Sequence, residues 1–210
     1  SSRPIASAHA IEVIGELSHV LGDPSGLGFA PRSVVTIHSW GSAPFSSMEH
    51  MFWHCDVTIL CDESPIFAPG CLLGGMFSGC ANFDRDLLWD TSNVTDMSYM
   101  FSGCTSFNQK LLWNTSNVTY MVCMFAGCGS LNQSLHFDTS KVTDMSSMFE
   151  FCTSLNQGLH FDTSKVTNMR FMFYGCKSFD QGLHFDTSKV TDMSNMFHGC
   201  AASAGISRDP

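Results

Sequence analysis

A 24-residue unit recurs through most of the chain, and this repeat constrains the fold more than any other feature. The string DTSKVTDMSSMFEFC at residues 138–152 returns as DTSKVTNMRFMFYGC at residues 162–176. The frame hydrophobic-x-x-Met-Phe-x-x-Cys occurs seven times, ending at Cys55, Cys80, Cys104, Cys128, Cys152, Cys176 and Cys200. A fixed period of this size is typical of repeat architectures, in which each unit buries its apolar face only against its neighbours.

The columns of the repeat differ in chemistry, which predicts the direction of their side chains. The methionine, phenylalanine and cysteine columns stay apolar, so they are expected to form a core ladder. Its central members are Met97, Met100, Phe101, Cys104, Met121, Met124, Phe125, Cys128, Met145, Met148, Phe149 and Cys152. The column of Asn93, Asn117 and Lys141 mixes amide with ammonium groups. Because lysine is almost never fully buried without a partner, this column is predicted to face water.

These columns predict a repeat solenoid, a β-solenoid-like stack of about seven turns of 24–25 residues. Each turn would contain a Val-Thr-x-Met strand, a tight turn of helical spacing and a Gly-Cys corner. The predicted organisation is a non-repeat N-terminal cap or assembly segment at 1–39, two divergent repeats at 40–88, five regular repeats at 89–208 and a tail at 209–210.

The N-terminal segment has a different pattern from the repeats. Ile11, Ile14 and Leu17 lie at helical spacing, and a β-branched run follows at residues 34–37. The segment is therefore predicted to form a short helix and then a strand.

One regular repeat, WDTSNVTDMSYMFSGCTSFNQ at residues 89–109, resembles the repeat of the BspA-like leucine-rich surface proteins. That family includes mycoplasma lipoproteins with repeats of about 25 residues. The resemblance is good over residues 89–200 and weak over 40–88. It implies a BspA-type leucine-rich repeat stack exported to a cell surface, and members of the family are variously proposed to be adhesins. The chain departs from the family in its 24-residue period and its cysteine column.

Composition and charge exclude several classes of partner. Ten Lys and Arg against 19 Asp and Glu give a net charge of −9, which argues against nucleic acid and anionic membranes. No apolar run is long enough to predict a membrane span. A start at Ser1 without methionine suits a mature chain whose signal peptide has been removed. Ten cysteines fit an oxidising compartment, so an extracellular or cell-surface location is predicted.

The cysteines suggest one disulfide and a buried ladder. Cys61 and Cys71 flank the degenerate second turn, CDESPIFAPGC, and are the best candidate pair. Neighbours on the cysteine ladder would lie about one strand spacing apart, which permits disulfides, but small buried thiols explain the column equally well. No C-x-x-C spacing is present, which argues against a zinc site.

Four sequons are candidates for N-glycosylation: Asn93, Asn114, Asn117 and Asn132. Asn93 and Asn117 belong to the column that is predicted to be exposed. Asn132 belongs to a turn column whose side chains can instead bond the backbone. The Thr-Ser pairs of each repeat, such as Thr139 and Ser140, admit O-linked sugars or simple turn hydrogen bonds.

Neither an enzyme nor a cofactor is predicted. Nearly every Ser, Asp, His and Cys belongs to a column, whereas catalysis needs one nucleophile oriented by one base. The column of His136, His160 and His184 could bind a metal or respond to pH, but it holds leucine at Leu88 and Leu112. A partly exposed packing position is the simpler interpretation, and no metal is predicted.

The ends of the array suggest how the protein works. The last repeat would finish near residue 208, which leaves no room for a C-terminal cap. Assembly candidates are Ile11, Ile14 and Leu17 at one end and Met193, Met196 and Phe197 at the other. Contact between two different surfaces builds an open filament unless its rotation closes a ring.

The predicted function is therefore an extracellular, glycosylated structural protein that assembles head-to-tail with itself into a fibre or surface layer. The alternative is a monomeric cell-surface adhesin that binds a host protein or glycan through one ladder face. Regular Thr-Ser spacing also suggests ice binding, against which the charged lysines of the flank count.

Overall fold

The computed structural model describes residues 10–13, 31–201 and 205–206. Among these residues the regular structure consists of short strands, and no helix is present. The strands are β1 (Ala10–Val13), β2 (Val34–Ile37), β3 (Phe45–Ser47), β4 (Asp56–Ile59), β5 (Phe67–Leu72), β6 (Val94–Asp96), β7 (Gly182–Leu183) and β8 (Gly205–Ile206).

Every strand pair is parallel, and partners lie about one repeat apart in the chain. One sheet has the order β1-β2-β4, a second has β3-β5-β6, and β7 pairs with β8. Isolated parallel bridges prolong the second sheet, joining Asp96 to Tyr120, Tyr120 to Asp144, Asp144 to Asn168 and Asn168 to Asp192. Successive repeats therefore lie side by side in register.

The N-terminal segment contains a strand where a helix was expected. β1 pairs with β2 in the same parallel sense, with Ile11 opposite Val35. The helix prediction is wrong at Ile11, because Ile11 and Val13 also fit the two-residue period of a strand and β2 offers a backbone partner. Ile14 and Leu17 lie outside the described residues.

Each repeat turns sharply between its first methionine and its cysteine, and we call this part of each repeat the crest. Within one crest, Met100 donates its N–H to the carbonyl of Met97 at 3.2 Å, three residues back. The crest amides alternate, so that every second one reaches the next repeat; the Phe101 N–H, for example, lies 2.9 Å from the carbonyl of Met124. The crest thus closes its own turn and binds its neighbour.

The crest requires the left-handed backbone region at two positions in each regular repeat. The first position lies two residues after the first methionine of the crest, as in Tyr99 with φ 60°. The second precedes the cysteine and is usually glycine, such as Gly103 with φ 77°. A side chain at this second position is costly, since only glycine enters the left-handed region without strain.

The core lies between the crest and the opposite side of each repeat. All twelve central members of the methionine, phenylalanine and cysteine columns are fully buried. Seven phenylalanine rings stack on one another from Phe52 to Phe197, with neighbouring centroids 5.4–5.8 Å apart. Burial of one apolar face by the next repeat is the main stabilising term in such an array.

Candidate functional site

The flank column that was predicted to face water is exposed, but its amide nitrogens are occupied. Asn93 donates its Nδ2–H to the carbonyl of Phe67 at 2.9 Å. Asn117 donates in the same way to the carbonyl of Ser92 at 2.8 Å. A glycan is attached through Nδ2, so these two sequons hold their attachment atoms against the preceding repeat.

Asn114 presents its attachment atom freely. The side chain is exposed, and its Oδ1 accepts the backbone N–H of Ser116 at 3.1 Å and the Ser116 hydroxyl at 2.7 Å. Aspartate holds this position in other repeats, where the Ser140 hydroxyl and N–H lower the pKa of Asp138. Because this turn uses only Oδ1, the Nδ2 of Asn114 is left without a hydrogen bond among the described residues.

Asn132 is also exposed with a free Nδ2. Its Oδ1 accepts the N–H of Asn156 at 2.9 Å and the Nε2–H of Gln157 at 3.1 Å. The side-chain bonds that were expected for this turn column therefore use the oxygen alone. Of the four sequons, Asn114 and Asn132 have the geometry for a glycan.

The threonines of the Thr-Ser pairs are buried hydrogen-bond donors. The Oγ1–H groups of Thr115 and Thr139 donate to the carbonyls of Asp138 and Asp162, each at 3.0 Å. Both side chains are buried, so they are not available for O-linked sugars. Hydrogen bonds to backbone carbonyls therefore explain the threonine of these Thr-Ser pairs.

The cysteine ladder is a row of thiols that bind carbonyl groups. The thiol of Cys128 donates to the carbonyl of Phe101 at 3.1 Å, and that of Cys152 to Phe125 at 3.0 Å. The same contact recurs at Cys80, Cys104, Cys176 and Cys200. Burial, and then the neighbouring thiols, raise the pKa of Cys128 well above its usual value. The ladder is therefore protonated and unreactive at neutral pH.

The disulfide predicted between Cys61 and Cys71 is absent, and both residues are free thiols. Cys71 is fully buried in β5, which belongs to the second sheet. Cys61 follows β4 of the first sheet and is only half-buried. The two residues are close in the chain, but they are positioned by strands of two different sheets.

The histidine column is solvent-exposed, like the leucines that precede it. His136, His160 and His184 are all exposed, and Leu112 is 76 % exposed. Among the described residues no three His, Cys, Asp or Glu side chains are grouped so that they could hold a metal ion.

An aromatic cluster on the crest was missed by the sequence analysis. It consists of Phe151, Phe171, Tyr174 and His198, and we call it the aromatic crest. The Tyr174 ring lies 5.3 Å from Phe151, 5.4 Å from Phe171 and 5.1 Å from His198, measured between centroids. The Arg170 guanidinium lies 4.6 Å above the ring of Phe171. The available signal was Phe151, which replaces the glycine found at this position in the other regular repeats.

The last repeat differs from the interior ones. Met193 is 43 % exposed, whereas Met169 before it is fully buried. Met196 is buried, and Phe197 is half-buried with its ring stacked on Phe173 at 5.6 Å. The sequence analysis named these three residues as assembly candidates, and among them Met193 is the exposed one.

The backbone of the last crest also has unused donors. In the repeat before it, the N–H groups of Phe171, Phe173 and Gly175 donate to carbonyls of the last crest at 2.8–3.0 Å. The equivalent N–H groups of Asn195, Phe197 and Gly199 have no acceptor among the described residues.

The first crest has the matching acceptors. The carbonyls of Glu49, Met51 and Trp53 stand at the positions that accept those N–H groups in every later repeat, and here none of them accepts a backbone N–H among the described residues. Trp53 is 43 % exposed. The first and last described crests therefore carry complementary rows. The segment that precedes the first crest also contacts it, since the Arg32 N–H donates to the His54 carbonyl at 2.8 Å.

No described helix has the length and apolar character needed to cross a bilayer.

Comparison with known proteins gives one family. Residues 72–161 and 159–204 match the family described as "Mycoplasma protein of unknown function, DUF285". No curated protein and no solved structure matches the chain. The matched residues make up more than half of the sequence and contain the regular repeats. The chain therefore belongs to this Mycoplasma family of unknown function.

Proposed function

We propose that the chain is an extracellular structural protein, a solenoid of the BspA-like leucine-rich type that associates head-to-tail with further copies of itself. The observation that carries this proposal is the pair of complementary backbone rows on its first and last described crests.

In a head-to-tail contact, the donors Asn195, Phe197 and Gly199 of one copy would face the acceptors Glu49, Met51 and Trp53 of the next. Both rows use every second residue, as the interior contacts do. Exposed rows of unpaired backbone groups are templates for pairing with another chain. The contact would repeat the geometry that already joins neighbouring repeats.

Side chains favour the same contact. Met193 is exposed at one end and Trp53 at the other, each at 43 %. Burial of both would remove apolar surface from water, which stabilises association. The two surfaces differ, so the contact does not close by two-fold symmetry and extends into a filament.

The extracellular location is supported by the sequons, two of which leave Nδ2 without a hydrogen bond among the described residues. Glycans at Asn114 and Asn132 would lie on exposed positions away from the terminal crests. A structural rod decorated on its flank and joined at its ends needs neither a catalytic group nor a cofactor.

Two blocking variants test the polarity of the contact. Met193→Glu should block one end and Trp53→Glu the other, so each variant alone should be monomeric by light scattering. A mixture of the two should give dimers that cannot extend, because one good end of each kind remains. The wild type should give polymers of the 23.0 kDa chain.

Tyr99→Glu is the matched control, since Tyr99 is an exposed crest aromatic residue far from both ends. This variant should polymerise like the wild type. A wild-type protein that stays monomeric at all concentrations would contradict the proposal. So would a mixture of the two blocking variants that forms no dimer.

The alternative, a monomeric surface adhesin, has its own supporting observation in the aromatic crest. An adhesin would remain monomeric and would bind its ligand through one side of the repeats. The two functions are compatible, because the aromatic crest and the terminal rows use different groups.

A further inference from the structure

The aromatic crest interrupts a row of small residues. At the equivalent positions of two preceding repeats the chain has Ser102 followed by Gly103 and Ala126 followed by Gly127. Large rings therefore replace small groups over a short part of the crest.

Phe151 occupies a backbone conformation that a bulky residue rarely adopts. Its φ is 58°, at a position where the glycines of the other regular repeats have φ of 72–81°. Such a conformation is strained, and residues of this kind cluster at binding and catalytic sites. The ring lies over Gly175, where a Cβ would come within 2.5 Å of it. Phe151 thus depends on a glycine in the next repeat and is still 49 % exposed.

The size of the aromatic crest suits a small or thin ligand. An aromatic side chain offers roughly 150–250 Å² when fully buried, so three partly exposed rings offer about 300 Å². A stable protein interface needs about 800 Å² on each partner. A folded protein would therefore have to find most of its contact area elsewhere.

The chemistry of the aromatic crest suits a sugar. The exposed ring of Phe151, which meets the Tyr174 ring at 90°, can pack against the C–H face of a pyranose. The Arg170 guanidinium lies over the Phe171 ring and the His198 ring stacks on Tyr174, so both bring hydrogen-bonding nitrogens to this aromatic patch, where hydroxyl groups would lie. Ligand sites commonly combine aromatic surface with a few placed polar groups. A cationic ligand is disfavoured, since the Arg170 guanidinium already lies over the ring of Phe171.

We infer that the aromatic crest of Phe151, Phe171, Tyr174 and His198 is a carbohydrate-binding site for a pyranose oligosaccharide. The site is independent of the proposed head-to-tail contact, so either can fail without the other.

The test begins with an array of defined oligosaccharides that covers β-linked glucose, galactose, N-acetylhexosamine and uronic acid chains. The probe that binds the wild-type protein is then titrated by calorimetry against variants. Phe151→Gly and Tyr174→Ala should each weaken binding at least tenfold. Tyr99→Ser, which removes an exposed crest ring outside the cluster, should leave affinity unchanged.

Phe151→Gly has a second expected result that guards against misfolding. It restores the glycine of the regular repeat, so its urea midpoint should equal or exceed that of the wild type while binding is lost. Failure of every oligosaccharide on the array to bind would overturn the inference. Unchanged affinity in both Phe151→Gly and Tyr174→Ala would do the same, because the sugar would then lie elsewhere. A wild-type dimer that Phe151→Gly abolishes would reassign this surface to contact between copies and also overturn it.

Discussion

Each ladder cysteine from Cys80 to Cys200 is fixed by one weak but repeated hydrogen bond. Its thiol donates to a phenylalanine carbonyl of the preceding repeat at 2.9–3.1 Å. In that orientation the thiol is hydrogen-bonded to a backbone carbonyl and does not contact a neighbouring sulfur in disulfide geometry. The column can therefore remain reduced even in an oxidising compartment.

Alkylation should distinguish the ladder from the other thiols. We expect iodoacetamide at pH 8 to modify Cys61 and Cys123, which are half-buried, and to leave Cys104, Cys128 and Cys152 unmodified. Peptide mass spectrometry reads out each site, and modification of all ten thiols after denaturation is the control. Equal rates at Cys123 and Cys128 in the native protein would show that the ladder is accessible.

Alkaline pH should weaken the fold through the same thiols. Burial raises the pKa of Cys71, Cys80 and Cys176 from 9.0 to about 12. The folded state then holds protons that the unfolded state releases, so this stability is fully present below pH 9 and is lost as pH rises towards 12. The urea midpoint should be flat from pH 7 to 8.5 and fall from pH 9 to 11.

A variant that lacks one of the buried thiols provides the control for this titration. Cys176→Ala should have a lower midpoint at pH 7 and a shallower decline above pH 9. An unchanged midpoint up to pH 11 in the wild-type protein would be inconsistent with buried, protonated thiols.

Sequon occupancy should follow the hydrogen bonding of Nδ2. If the chain is expressed through a secretory pathway that glycosylates asparagine, we expect glycans at Asn114 and Asn132 and little at Asn93 and Asn117. Glycopeptide mass spectrometry measures the occupancy. Asn114→Gln should remove one glycan, whereas Asn117→Gln should leave the mass of attached sugar unchanged. Full occupancy at Asn117 would show that its bond to Ser92 does not protect it.

At the scale of the repeat, the sequence predicts which side chains are buried. A core position stays apolar in every repeat, whereas an exposed position varies in polarity. The methionine and phenylalanine columns never accept a polar residue, and they are the core. The strand expected at each Val-Thr-x-Met is regular at Val94–Asp96 and shrinks to single bridges at Tyr120 and later repeats. Hydrophobic spacing does not reveal how many residues of a short segment will pair.

Strand pairing and contacts between repeats could not be predicted from short stretches of the sequence. The periodicity at Ile11 fits a helix or a strand over so short a stretch, and only its pairing with β2 decides between them. Likewise, the chain spacing of Cys61 and Cys71 does not show that they belong to different sheets. The aromatic crest was overlooked because its members stand at variable positions of the repeat.

The crest glycines should be among the least replaceable residues. Gly127 has φ 77° and stacks on Gly103, so Gly127→Ala should destabilise the fold by about 1–2 kcal/mol. Urea denaturation measures the change. Gly129→Ala is the matched control, since Gly129 has no positive φ and its Cβ would meet only Thr153 at 3.5 Å. A Gly127→Ala variant as stable as Gly129→Ala would argue against the left-handed crest.

At the scale of the whole molecule, the phenylalanine stack makes the cost of a substitution depend on its position in the array. Phe125→Ala removes a fully buried ring stacked on both sides and should cost about 3–5 kcal/mol. Phe197→Ala removes a half-buried ring with one stacking neighbour, so its cost should be about half as large. Chemical denaturation compares them, and equal costs would contradict nearest-neighbour stabilisation of the repeats.

The one-way hydrogen bonding of the crest gives the molecule an electrical direction. The crest N–H groups that bond to another repeat point towards the Met193 end, and only a smaller set of backbone N–H groups, such as that of Thr119 to the Thr95 carbonyl, points back. Aligned peptide dipoles add along an axis, as they do in an α-helix. The Met193 end should carry partial positive charge and the Glu49 end negative charge. Two copies that meet through like ends would repel each other, so a filament built from this chain would have distinguishable ends and a preferred end for growth.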